Sequence, residues 1–222
     1  MTDYTAARAN MIESQVRPNG ITDRRIIAAM ENVAREDFVP ETRKAVAYMD
    51  EDIALTANDS AGGERYLIEA MAFARMLQQV AVKPGDRVLV VGTATGYSAA
   101  VLAALAAEIV AVESDIRLIR EARVNLREFA NVKIVEGALE DGSKADGPFD
   151  VIVLEGRVDE VPAALLAQLA DGGRLIAVVG ETAMAKARVY QSSAGSIATR
   201  DVFDASVAPL PGFARKQPAF VF

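Results

Sequence analysis

The stretch that most constrains this chain is Arg87-Val88-Leu89-Val90-Val91-Gly92-Thr93-Ala94-Thr95-Gly96-Tyr97. Four consecutive β-favouring apolar residues follow the turn-forming Lys83-Pro84-Gly85-Asp86, the pattern of a strand buried on both faces. A tight turn of small residues then leads into a helix read over residues 99–106. The alternation continues with strand 109–113, helix 116–128, strand 132–136, strand 151–154, helix 162–169, the turn Asp171-Gly172-Gly173 and strand 174–179. Repeated strand, helix, strand units imply a parallel sheet covered on both faces. The tail changes character. Residues 187–191 and 199–205 read as strands joined by the Ser- and Gly-rich 192–196, too short for a crossover helix, which predicts an antiparallel hairpin at the sheet edge.

Ahead of this core, Met11, Ile12 and Val16 are spaced for one helical face and Ile26, Ile27, Met30 and Val33 for another. Arg17-Pro18-Asn19-Gly20 breaks them, and Thr22 is the expected N-cap of the second helix. Thr56-Ala57-Asn58-Asp59-Ser60-Ala61-Gly62-Gly63 has the composition of a loop, and helix is expected to resume over residues 66–80. Met11, Met30, Met71 and Met76 are expected in the core, and Arg117, Arg120, Glu121 and Arg123 on a solvated helix face.

Composition then narrows the chemistry. The chain has 222 residues with neither histidine nor cysteine, which excludes Ser-His-Asp and Cys-His catalysis, thiolate metal sites and histidine-bound zinc. No metal site is expected. A net charge of -7 argues against binding nucleic acid mainly through phosphates. No apolar run approaches the roughly 20 residues that cross a bilayer, and Met1-Thr2-Asp3-Tyr4 opens no secretory signal, so a cytoplasmic location without membrane contact is expected.

In open α/β sheets, ligands bind at the carboxyl ends of the strands, and Gly92-Thr93-Ala94-Thr95-Gly96-Tyr97 sits at one of them. The next strand ends at Glu113, placed to accept hydrogen bonds from both hydroxyls of a ribose. Dinucleotide sites require G-x-G-x-x-G, and the positions that follow Gly92 are Ala94 and Tyr97; a Tyr where helix meets strand disfavours a pyrophosphate. S-adenosyl-L-methionine (AdoMet), which carries a ribose but no phosphate, suits the turn better than a dinucleotide does.

Several segments together resemble the protein-L-isoaspartate O-methyltransferase family: Val33-Ala34-Arg35-Glu36-Asp37-Phe38-Val39-Pro40, Ala47-Tyr48, Lys83-Pro84-Gly85-Asp86-Arg87-Val88-Leu89, the Gly92 to Tyr97 turn with Ala99-Ala100-Val101-Leu102-Ala103, and Gln168-Leu169-Ala170-Asp171-Gly172-Gly173-Arg174-Leu175. The likeness runs from about Met11 to Phe222. It implies an α/β fold of the seven-stranded, Rossmann-like AdoMet-dependent methyltransferase type, with an N-terminal helical extension and an antiparallel seventh strand. It implies one domain over residues 1–222, in which 1–80 form the extension and acceptor loop and 81–222 the AdoMet-binding core. The implied reaction moves the AdoMet methyl to the free carboxylate of an isoaspartyl residue in a damaged protein or peptide, a first step of repair. An ionised carboxylate needs no general base, which suits a chain without histidine.

By the same resemblance Gly92, Thr93, Ala94, Gly96 and Tyr97 form the cofactor turn, with Ala94 where the family usually has Gly, and Glu113 holds the ribose. Val135-Glu136-Gly137-Ala138-Leu139 stands in place of the family's Gly-Asp-Gly, leaving backbone groups of Gly137, Ala138 and Leu139 for the adenine. On the acceptor side, Arg65-Tyr66-Leu67-Ile68-Glu69-Ala70 replaces a Thr-Ile-Ser-Gln-Pro-like segment, so Ser60, Arg65 and Tyr66 are the candidate replacement donors, while Glu69 would repel an anion unless turned away. Glu155, at the end of strand 151–154, is read as capping the turn after it or facing water, with a cationic acceptor as the other use. Two further readings stay open: the same scaffold with a different acceptor, and a non-catalytic AdoMet-binding protein.

Overall fold

The computed structural model describes residues 3–56, 63–182 and 184–214. Helix α1 (Tyr4–Met11), capped by the Asp3 carboxylate on the Ala6 N–H at 3.0 Å, runs on through a π-helical segment, Ile12–Val16, and a 3-10 turn, Arg17–Asn19. Met11, Ile12 and Val16 are buried together, as their spacing requires. Helix α2 (Arg24–Asn32) buries Ile26, Ile27 and Met30. Its cap is Asp23, not Thr22: the Asp23 carboxylate takes the Arg25 N–H at 2.9 Å, and an anion suits a helix start better than a hydroxyl. The Thr22 N–H donates instead to the Gln78 side chain at 2.7 Å.

The expected helix from residue 66 starts later. Tyr66–Leu67 is a strand, β2, paired antiparallel with β1 (Ile53–Ala54), and α3 covers Ala70–Val80. Asp52 explains the switch, because its carboxylate takes the Glu69 N–H at 2.8 Å and holds that residue extended. Of the four methionines assigned to the core, Met11, Met30 and Met76 are fully buried, whereas Met71 is only partly so.

The core strands are β3 (Arg87–Val91), β4 (Glu108–Glu113), β5 (Val132–Glu136), β6 (Phe149–Val158), β7 (Leu169–Val179), β8 (Ala185–Ser193) and β9 (Ser196–Ala205). Helices α4 (Tyr97–Ala103), α5 (Ile116–Asn125) and the single turn α6 (Ala163–Leu166) connect them. The sheet order is β5-β4-β3-β6-β7-β8-β9, with the first five parallel. The terminal hairpin forms at the edge. Its first strand, β8, runs against the parallel set, and β9 is antiparallel to β8.

Alternate residues of these strands feed two cores. Val88, Val90, Ile109, Ala111, Val151 and Val153 face the N-terminal helices, α3 and α4. Leu89, Val91, Val110, Val112, Ile152 and Leu154 face a thinner layer built from Leu139, Leu165, Leu210 and Phe213. Arg174 on β7 clamps the sheet to the end of α3, donating to the carbonyls of Val80 at 2.9 Å and Ala81 at 3.0 Å and to Asp86 at 2.8 Å. Strand order reverses between β3 and β6, so the crevice lies over the carboxyl ends of β3, β4 and β6.

Candidate functional site around Gly92 and Glu113

The turn after β3 is left-handed at three positions: Gly92 (φ +82°), Ala94 (φ +51°) and Gly96 (φ +101°). Ala94 carries its methyl at a backbone angle that costs an L-residue about 1–2 kcal/mol, which is why a Gly is the easier occupant. The turn is fixed from below, since the Gly92 and Thr93 N–H groups donate to the Val112 carbonyl at 2.9 and 3.2 Å. It is fixed from the side by the Thr95 hydroxyl on the Phe38 carbonyl at 2.6 Å and by Asn125 on the Thr95 carbonyl at 3.0 Å.

Glu113 ends β4 beneath this turn and is fully buried. Its Oε2 accepts the Ala94 N–H at 2.8 Å. Its Oε1 accepts Arg65 Nη1 at 2.6 Å, the Ser114 N–H at 2.8 Å and the Asp115 N–H at 3.0 Å. Arg65, equally buried, also donates Nη2 to the Gly92 carbonyl at 2.9 Å. Arg65 is therefore held against Glu113 and the Gly92 to Gly96 turn. Leu210 closes over the same place: a Cβ on Gly92 would stand 2.6 Å from Leu210 Cδ1 and 3.0 Å from Arg65 Nη2.

Leu210 arrives on a tail that runs beside the end of β6, where the Arg157 N–H donates to the Ala208 carbonyl and the Leu210 N–H to the Arg157 carbonyl, each at 2.8 Å. The Ala208 N–H is taken by the Asp52 carboxylate at 2.5 Å, so one side chain ties Glu69 and the tail together. Burial raises the Asp52 carboxyl above its ordinary range. A cavity of about 300 Å³ opens on the outer side of this tail, lined by Glu64, Arg157, Pro209, Leu210, Pro211 and Phe213 among others.

Where the adenine was expected, the Gly137 N–H donates to the Glu113 carbonyl at 3.1 Å, and Ala138 and Leu139 lead into a 3-10 turn. Leu139 is buried in the same cluster as Leu210 and Phe213. Tyr66 is partly exposed and donates its hydroxyl to Glu64 at 2.8 Å. Ser60 lies outside the described residues.

A set of buried polar side chains that the sequence did not disclose lies at and beside the turn. Glu155 is buried, contrary to the reading that it caps a turn or faces water. Burial, opposed by the guanidinium groups of Arg35 and Arg65, raises its carboxyl to about 8. Arg35, fully buried, donates to the carbonyls of Ala47 at 2.9 Å and Ile68 at 2.7 Å, and its guanidinium lies 4.9 Å from the centre of the Tyr97 ring. Phe38 packs edge-on to that ring at 5.6 Å. Arg35 Nη1, the Thr93 and Tyr97 hydroxyls and Glu155 Oε1 are buried without a hydrogen-bond partner among the described residues. Arg35 belongs to the Val33 to Pro40 segment, but nothing in its spacing points to Tyr97. Glu69, half-buried beside Asp52 and Asp50, is raised to about 7 chiefly by burial. No group of acidic side chains able to hold a metal ion occurs among the described residues.

Comparison with known proteins follows the same lines. A family model described as protein-L-isoaspartate(D-aspartate) O-methyltransferase matches residues 6–212. A protein-L-isoaspartate O-methyltransferase of Koribacter versatilis is 34% identical, with 99% of this chain and 97% of that protein covered. One from Methylorubrum populi is 40% identical, with 81% of this chain and 82% of that protein covered. The crystal structure of a putative protein-L-isoaspartate O-methyltransferase from Plasmodium falciparum, in complex with S-adenosyl-L-homocysteine, superposes with a TM-score of 0.76 at 20% identity, with 95% of this chain and 99% of that one covered.

Proposed function

Because the chain belongs to the protein-L-isoaspartate(D-aspartate) O-methyltransferase family, we propose that it methylates the free carboxylate of isoaspartyl residues in damaged proteins, with AdoMet as donor. The single observation that carries this reading is the match over residues 6–212, which takes in both the left-handed turn and Glu113. The frame of the site suits a nucleoside: three left-handed positions bring backbone close to a ligand, and a carboxylate stands one strand away. The side chains on that frame, as they stand, do not fit one. Arg65 holds Glu113 Oε1, and Leu210 lies against Gly92. The cofactor's chemistry, when it is bound, is to supply an activated sulfonium methyl.

The chain's own residues suit an anionic acceptor. Below about pH 8 the Glu155 carboxyl keeps its proton and is a hydrogen-bond donor, so it need not repel a carboxylate. The Tyr97 and Thr93 hydroxyls and Arg35 Nη1 are three more donors without partners among the described residues. We assign the acceptor carboxylate to this set and to Tyr66, with Ser60 as a further candidate. Arg65, already paired twice, is the least available of the three donors first considered. No helix among the described residues is long and apolar enough to cross a membrane, and we place the enzyme in the cytoplasm.

The test is transfer of labelled methyl from AdoMet to an isoaspartyl peptide, with the ordinary aspartyl peptide as control. A base-labile ester on the first peptide alone is the expected result. Equal labelling of both peptides, or of neither at saturating AdoMet, would overturn the assignment.

A further inference from the structure

We propose that Arg65 and Leu210 are a built-in closure of the cofactor cleft, so that a nucleoside reaches Glu113 only by displacing the Arg65 guanidinium. The proposal rests on the reading of the cleft as an AdoMet site and adds how access to it is controlled. Glu113 has one carboxylate oxygen committed to the turn through the Ala94 N–H at 2.8 Å. The other oxygen, the one left for a ribose hydroxyl, already receives four donors, and the 2.6 Å contact to Arg65 Nη1 is the shortest of them. The Arg65 fork is satisfied on both sides, because Nη2 reaches the Gly92 carbonyl at 2.9 Å.

A guanidinium bound in this way imitates a diol, offering hydrogens to the same acceptors from the same side of the turn. Leu210 seals the remaining face, with Cδ1 close enough to Gly92 that even a methyl there would overlap it at 2.6 Å. Both groups are held from outside the cleft. The Arg65 N–H donates to the Thr56 hydroxyl oxygen at 2.9 Å and the Arg65 carbonyl accepts the Leu55 N–H at 2.8 Å, while the tail that carries Leu210 is tethered at Ala208 by Asp52. Opening consequently needs a side-chain rotation at position 65 and a small shift of the tail, with β1 and β2 left paired. A ligand that binds only the open state has its apparent affinity lowered by the fraction of molecules that are open.

The chain's lack of cysteine supplies a direct probe. Thr93 is 2% exposed and its hydroxyl has no partner among the described residues, so Thr93→Cys breaks no side-chain hydrogen bond and places a single buried thiol next to Gly92, against which Arg65 and Leu210 lie. Labelling of that thiol is measured in the otherwise unchanged chain and together with Arg65→Ala or Leu210→Ala. Binding of S-adenosyl-L-homocysteine is measured by calorimetry for the unchanged chain and for each of the two substitutions alone. Labelling at least tenfold faster with either substitution, and tenfold tighter homocysteine-nucleoside binding with Arg65→Ala, are expected. Equal labelling in all three backgrounds, or weaker binding with Arg65→Ala, would overturn the closure. Faster labelling without any nucleoside binding would uphold the closure and remove the AdoMet reading beneath it. Leu210→Ala keeps the buried ion pair and so remains informative if Arg65→Ala does not fold.

Discussion

Glu155→Gln should stabilise the protein in alkaline solution and leave it almost unchanged in acid. The Glu155 carboxyl titrates near 8 in the folded chain against an ordinary value of 4.5, because it is buried with one oxygen unpartnered among the described residues. Between those two pH values the folded state holds a proton that the unfolded chain has released, so raising the pH favours unfolding. At about 1.4 kcal/mol per pH unit, the stability lost across that window amounts to at most roughly 5 kcal/mol. Glutamine keeps the shape and cannot ionise. Urea unfolding of both proteins from pH 5 to 9 gives the difference directly, and the subtraction removes other groups that titrate there, Glu69 among them. The variant's advantage should be near zero at pH 5, grow steadily through pH 7 and level off above 8. Two curves that run parallel from pH 5 to 9 would refute the assignment of a buried, protonated Glu155.

Gly96→Ala places a Cβ 2.7 Å from Leu126 at φ +101°, and strain plus overlap should cost about 2–4 kcal/mol, read as a fall in Tm. Gly20→Ala, at φ +77° in open space, should cost only about 1–2 kcal/mol, so equal losses would discount the overlap. Arg174→Met removes three hydrogen bonds and leaves the buried Asp86 with the Lys83 N–H but without its cation, an expected loss of roughly 3–5 kcal/mol in urea unfolding. A change below about 1 kcal/mol would mean that the clamp carries no strain of the fold.

The parallel core was legible because it obeys one rule. Strands buried on both faces are written as unbroken apolar runs, and β3 and β4 fall within a residue of where those runs place them, while β5, at the sheet edge, carries Lys133 within its apolar residues and still falls where it was read. The β1 and β2 pair was not legible, since two residues per strand show no period and Tyr66-Leu67 continues smoothly into the helical pattern of α3. Asp23 displaced Thr22 as a cap for a similarly local reason, two good capping residues standing side by side. Spacing singles out Gly92, Gly96 and Glu113, and the fold brings the turn and the carboxylate together, but spacing does not give the partner of Glu113. Arg65 lies 48 positions away and resembles any loop arginine until the fold delivers it. Glu155 failed differently: a carboxylate after a short apolar run is ordinarily solvated, but β6 continues to Val158 and this one is buried near Arg35, Arg65, Asp52 and Ser98, all distant in sequence.

That tail belongs to two systems at once. Leu210 and Phe213 are structural members of the thinner core, alongside Leu139 and Leu165, and Leu210 is also the roof of the cleft. Packing on the far side of the sheet and access to the cleft are thus set by one equilibrium. Substitutions at Leu139 or Leu165, or at the Asp52 tether, would retune ligand affinity from a distance, and pressure on foldability alone would leave its mark on how readily the crevice admits a guest.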